Sequence, residues 1–134
     1  MKCRDMATRM ATRLQNFFKQ RTDGNLRSVV KYEQDSHDIV YLRGDVAERY
    51  TATEIESAVD GSRLDSLSSP IYENTFSEDH GELTCLVQCF VEVVEMNFVL
   101  EDGVGAAVAL DAEAMADTHG LVAEAREIVL EQRE

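Results

Sequence analysis

Between residues 83 and 110 the side chains change character with a period of two, and that pattern constrains the fold more than anything else in the chain. Leu83, Cys85, Val87 and Cys89 alternate with Thr84, Leu86, Gln88 and Phe90, while Val94, Met96, Phe98 and Leu100 alternate with Glu95, Asn97 and Val99. Successive side chains of a strand point to opposite faces, so this spacing predicts paired β-strands. Glu101-Asp102-Gly103 supplies a hairpin turn, and Val104, Ala106, Val108 and Leu110 make the strand that follows it. A second pair of strands lies upstream. Leu26–Glu33 is rich in β-formers, Gln34–Asp38 is a polar connection, and Ile39–Leu42 returns before Gly44-Asp45 closes the segment.

Helical spacing brackets these strands. Cys3, Met6, Met10, Leu14, Phe17 and Phe18 recur at steps of three and four within residues 3–21, and Thr22–Asn25 ends the segment as a turn. The tandem Met6–Arg9 and Met10–Arg13 repeat keeps apolar and basic side chains on separate faces. Thr53-x-x-Glu56 fits a capping box for a short helix with Ile55, Ala58 and Val59 on its apolar face, weakening at Gly61. Residues 66–81 hold the single proline, Pro70, among serines and acids and read as an exposed loop, with Ile71, Tyr72 and Phe76 as its anchor. Asp111 can cap a last helix striped by Leu121, Val122, Ala125, Ile128 and Val129, with Gly120 as a point of division.

The element order is therefore α-β-β-α-β-β-β-α. It predicts one α+β domain over residues 1–134, a five-stranded antiparallel meander flanked by helices. This order resembles the roadblock and longin type of small regulatory domain over most of the chain. The resemblance implies dimerisation and small GTPases as partners. Profilin-like ligand-sensing domains use similar elements. A second resemblance lies in short stretches: Tyr32-Glu33, Ile39–Val46, Val94–Phe98 and Gly105–Asp111 look like a family of small acidic haloarchaeal proteins of no established function.

Charge is divided along the chain. Residues 1–32 hold eight basic side chains and two acids, whereas residues 33–134 hold five arginines and 24 acids, for a net charge of −13. Three lysines against 26 acids suit a salt-rich cytoplasm, where screening removes most self-repulsion and carboxylates keep the surface hydrated. A body so acidic repels nucleic acid, leaving only residues 1–22 able to meet a phosphate. No apolar run reaches the roughly 20 residues of a membrane span, and no signal peptide stands at the start, so a cytoplasmic location is expected. At this length about two thirds of the unfolded surface can be buried.

Chemistry-bearing residues do not cluster in the sequence. His37, His80 and His119 occupy separate segments and no pair of them sits near Cys85 or Cys89, so no metal and no cofactor is expected. Both cysteines sit in an apolar strand and read as small buried hydrophobes. Ser66–Ser69 lacks a nucleophile-elbow pattern, and Gly103-Val104-Gly105 lacks the lysine and hydroxyl of a phosphate loop. Arg43 and Arg49 flank Asp45 and Glu48 and read as salt-bridge partners.

Three functions stay open. The first is a non-enzymatic interaction or regulatory module acting as a homodimer. The second is a small-ligand sensor with a pocket between the sheet and the second helix, lined by Tyr32, Tyr41, Met96 and Phe98. The third is a nucleic-acid-associated regulator. It would use the basic N-terminal helix (Arg4, Arg9, Arg13, Phe17, Phe18, Lys19, Arg21), which can also be a free arm or pack on the acidic body.

Overall fold

Every strand of a sheet sends one row of side chains to each face, and here the two rows meet different helices. The computed structural model describes residues 2–68, 70, 71, 73 and 80–133. Helix α1 (Lys2–Arg21) is followed by strands β1 (Leu26–Tyr32) and β2 (His37–Leu42), helices α2 (Gly44–Arg49) and α3 (Ala52–Leu67), and strands β3 (Cys85–Cys89), β4 (Val93–Glu101) and β5 (Val104–Asp111). A 3-10 helix (Ala112–Asp117) then leads into helix α4 (Thr118–Arg133). The five strands form one antiparallel sheet, as the alternation predicts, in the order β2-β1-β5-β4-β3.

That order differs from a simple meander. The long connection through α2 and α3 carries the chain across one face, so β3 begins at the far edge and β5 ends up beside β1. The Val29↔Val108 register locks the two halves together.

The first row of side chains builds the main core. Val29, Val94, Met96, Phe98, Val108 and Leu110 meet Ala7, Met10, Ala11, Leu14 and Phe18 of α1 and Leu121, Ala125 and Val129 of α4. The α1 residues recur at three- and four-residue steps, and so do those of α4, which fixes the facing side of each helix. α1 is thus part of the body and not a free arm. Phe18 packs on Phe98 with ring centroids 6.1 Å apart, and Phe17 stands edge-on to Phe18 at 5.0 Å.

On the opposite face Val30, Tyr32 and Val59 make a smaller cluster, with Ile55 packed against it. Three sequence expectations need correction here. The capping box belongs to Thr51 and Glu54, not to Thr53 and Glu56: Thr51 Oγ1 accepts the Glu54 N–H at 3.1 Å, and Glu54 Oε1 accepts the Thr51 N–H at 2.9 Å. Both pairs have the same spacing, and the earlier one gives the helix two more residues. α3 also continues past Gly61 to Leu67, so Ser66 is helical. Half of the expected loop, including Tyr72 and Phe76, lies outside the described residues, while Ile71 is exposed. Lastly, Gly44–Arg49 forms a helix where a closing turn was expected.

Asp111 ends β5 and caps no helix. Its Oδ2 accepts from Arg43 Nη1 at 2.6 Å, and its Oδ1 accepts from Arg43 Nη2 at 2.9 Å and from Arg27 Nη1 at 3.1 Å. Arg43 also donates to Asp45 and to the Gly24 carbonyl, so one guanidinium joins the end of α1, the start of α2 and the end of β5. α4 runs unbroken through Gly120.

Candidate interaction surface

Among the described residues, helices close the sheet on one side and cover it only in part on the other. α3 is held by polar ties near its C-terminal end. Buried Tyr32 donates its hydroxyl to Asn97 Oδ1 at 2.6 Å, and Asn97 Nδ2 donates to the Ser62 carbonyl at 2.9 Å. Burial pushes the Tyr32 phenol up to about 12, against its hydrogen bonds to Ser66 and Asn97. Ser66 Oγ accepts the Gly103 N–H at 3.0 Å, and Arg63 donates to the Glu33 and Ser36 carbonyls at 2.6 and 2.9 Å.

Toward its N-terminal half α3 leaves a hollow of about 650 Å³ against the sheet. The cause is side-chain size. The α3-facing positions of β5 are Gly105, Ala107 and Ala109. The Tyr32 ring fills the space at Gly105, where an added Cβ would stand 2.6 Å from the Tyr32 hydroxyl. No described side chain fills the space over Ala107 and Ala109 in the same way, and these two border the hollow with Val93 and Glu95 of β4 and with Ile55 and Val59 of α3.

The hollow runs out to β3, an edge strand with no strand partner beyond it among the described residues. Val99 N–H donates to the Thr84 carbonyl and Phe90 N–H to the Val93 carbonyl, so the even-numbered residues here turn their backbone toward β4. By the alternation of an antiparallel ladder, Cys85, Val87 and Cys89 direct their N–H and C=O groups outward. The strand Cys85–Cys89 contains no charge, proline or bulge, the devices that normally guard an edge. Two large apolar side chains directly follow the strand and are exposed, Phe90 at 54% and Val91 at 95%. The other edge, β2, carries Asp38, paired with Lys31 at 3.4 Å, and one exposed large apolar residue, Ile39.

The residues singled out from sequence are placed as follows. Tyr32, Tyr41, Met96 and Phe98 do not share a pocket. Tyr32 faces α3, while Tyr41, Met96 and Phe98 belong to the core beneath α1, and of the four only Met96 borders the hollow. The cause is parity: Tyr32 pairs with Gly105, whereas Phe98 pairs with Ala106, one residue along and hence on the other face. On α1, Arg13 Nη2 meets Glu131 Oε1 at 2.6 Å, Arg21 pairs with Glu124, and Lys19 lies 4.3 Å over the Tyr41 ring. Two of the basic side chains therefore meet acids of α4. Arg9 is exposed, and the Arg4 side chain lies outside the described residues.

The cysteines divide as well. Burial pushes the Cys85 thiol up to about 12, so it resists ionisation, whereas Cys89 is exposed on the edge and not buried as its strand position suggested. Among the described residues no three His, Cys, Asp or Glu side chains stand close enough to hold a metal ion. No helix among them is long and apolar enough to cross a membrane. The hollow lies where a pocket was expected, between the sheet and the second helix of the sequence reading, but with a different lining apart from Met96; the bare edge of β3 was the feature sequence reasoning missed. The one signal available was β3 itself, apolar on both faces in a domain with too few helices to cover it.

Comparison with known proteins adds two findings. The model of a family described as "Domain of unknown function (DUF7522)" matches residues 12–130. Among solved structures, the crystal structure of a Roadblock/LC7 domain from Streptomyces avermitilis is similar, with a TM-score of 0.51 and 20% sequence identity over 81% of this chain and 83% of that one. The fold is therefore roadblock/LC7-like. No curated protein matches the chain.

Proposed function

We propose that this chain, which belongs to the family whose model spans residues 12–130, is a non-enzymatic interaction module that pairs with a second copy of itself along β3. The observation that carries the reading is the unguarded β3 edge beside an apolar surface left open by α3. An exposed flat edge with apolar neighbours is a template for strand addition, and a second β3 is the partner always at hand. An antiparallel pair centred on Val87 satisfies the outward N–H and C=O groups of both strands. It sets Cys85 of one protomer opposite Cys89 of the other, and it covers Phe90 and Val91. A symmetric contact of this kind closes on itself and stops at two copies.

The charge shapes where such a module works. Each protomer carries −13, so association in dilute buffer is opposed by repulsion. At about 1 M salt the screening length falls to about 3 Å and the apolar and backbone contacts prevail. The acid-rich, lysine-poor composition fits a salt-rich cytoplasm of haloarchaeal type. With the Cys85 thiol held un-ionised by burial, and the basic face of α1 paired in part with α4, interaction is favoured over catalysis or nucleic-acid binding. Val87→Lys, which places a charge on the edge, tests the reading. The wild type is expected to sediment as a dimer in molar salt and the variant as a monomer with unchanged circular dichroism. A wild type that stays monomeric in molar salt at hundreds of micromolar overturns it.

A further inference from the structure

We propose that the hollow beneath the N-terminal half of α3 is a binding site for a small organic cation with a bulky apolar body. The proposal does not rest on self-association; it rests on size, lining and charge. A volume of about 650 Å³ falls in the usual range for small-molecule pockets, roughly 300–1,000 Å³. Ala107 and Ala109 keep the floor low, and Ile55 and Val59 give an apolar roof. These surfaces suit a ligand with a hydrocarbon or aromatic body.

The charges set the sign. Among the described residues four carboxylates line the site, Glu54, Asp65, Glu92 and Glu95, against one cation, Arg27. Arg27 is committed to Asp111 at 3.1 Å, with both side chains mostly buried. An anion entering the hollow would meet four like charges with no free cation to offset them. Glu95 stands directly across from Ala109 in the β4–β5 register. No described residue donates a hydrogen bond to it, and burial raises its pKa against the pull of Arg27. A cation placed there would relieve that cost. Tyr50 and Phe90 also border the hollow, and aromatic faces reinforce the preference for a diffuse, weakly hydrated cation.

The test uses two ions of one shape and opposite charge, tetraphenylphosphonium and tetraphenylborate, titrated calorimetrically into the full chain in about 0.1 M sodium chloride, where the screening length is about 10 Å and the lining charges are still felt. The phosphonium is expected to bind one per chain, with the borate at least about ten-fold weaker. Glu95→Gln should weaken the phosphonium about five- to ten-fold without changing the fold. Ala109→Leu should abolish binding by raising the floor, with circular dichroism reporting that the domain remains intact. Equal affinity for the two ions, or phosphonium affinity unchanged in Glu95→Gln, overturns the site. Binding that vanishes as the protein concentration carries the chain from monomer to dimer assigns the hollow to the second copy and also overturns it. Self-association is read separately by sedimentation, so failure of one idea leaves the other standing.

Discussion

Gly105→Ala should be the most damaging single methyl group in this protein. On propensity alone the change ought to help, because alanine restricts the unfolded chain and favours an ordered element by about 0.5–1 kcal/mol. Gly105 does not adopt a positive φ, so no backbone strain opposes the substitution. The obstacle is space. A Cβ at this position would stand 2.3 Å from the Phe98 carbonyl oxygen, 2.6 Å from the Tyr32 hydroxyl and 2.9 Å from the Tyr32 Cζ. The first is backbone of the neighbouring strand, and the second belongs to a fully buried ring, so neither yields at low cost. Overpacking of this kind costs about 1–3 kcal/mol. Displacing the Tyr32 hydroxyl from Asn97 leaves buried polar groups unpaired, for about 1–3 kcal/mol more. The expected loss is therefore about 4 kcal/mol, a large share of the 5–15 kcal/mol that holds a typical domain. Urea unfolding followed by circular dichroism, in molar salt and at matched protein concentration, measures it. With a slope of about 1.5 kcal/mol per molar, the midpoint should fall by about 2–3 M. Tyr32→Phe removes one of the clashing atoms in advance, so the double variant should cost less than the two single losses together. A Gly105→Ala midpoint within about 0.3 M of the wild type would refute the packing argument at the α3 face.

Other consequences follow from single groups. Arg43, bonded through two nitrogens, holds the Asp111 carboxylate below its ordinary range against the opposing effect of burial, with Arg27 adding to the effect. A depressed folded-state pKa contributes stability above the unfolded value and loses it as pH falls through the folded one; Asp111→Asn should cost about 2 kcal/mol at neutral pH and flatten the acid limb below about pH 4 in urea titrations. The Tyr32 phenolate should appear in ultraviolet titration only at about 12, and Tyr32→Phe should remove that step. In a Cys3→Ser background a thiol reagent at pH 8 should label exposed Cys89 rapidly and the half-buried, un-ionised Cys85 much more slowly, and dimerisation should slow Cys89. Equal rates at the two thiols would contradict the burial of Cys85.

The sheet was legible because a period of two survives in any context: all five strands fall within a residue or two of where the alternation puts them. The α1 stripe was legible for the same reason at a period near 3.6. What failed were the choices between locally equivalent signals. Thr51 and Thr53 offer the same capping spacing, and only the approach of the chain from α2 decides between them. Asp111 stands before a helix and looks like a cap, but two arginines from distant segments, Arg27 and Arg43, claim it first. The pocket residues failed because aromatic character marks burial and not which face. Tyr32 and Phe98 reach opposite sides of the sheet through a one-residue difference in register against β5. Strand order was hidden as well, since nothing local in Leu26–Tyr32 announces that its second neighbour lies seventy-odd residues downstream. The exposure of Val87 and Cys89 follows from β3 lying at the edge, which only that order reveals.

The central claim is self-association along β3, and the molar mass in solution tests it most directly. Light scattering on the full chain in 2 M potassium chloride should give about twice the 15.0 kDa of one chain, shifting toward 15.0 kDa as salt is lowered, and Val87→Lys should hold it at the single-chain mass throughout. A wild type at the single-chain mass in molar salt, or a Val87→Lys variant that remains a dimer, would contradict the account.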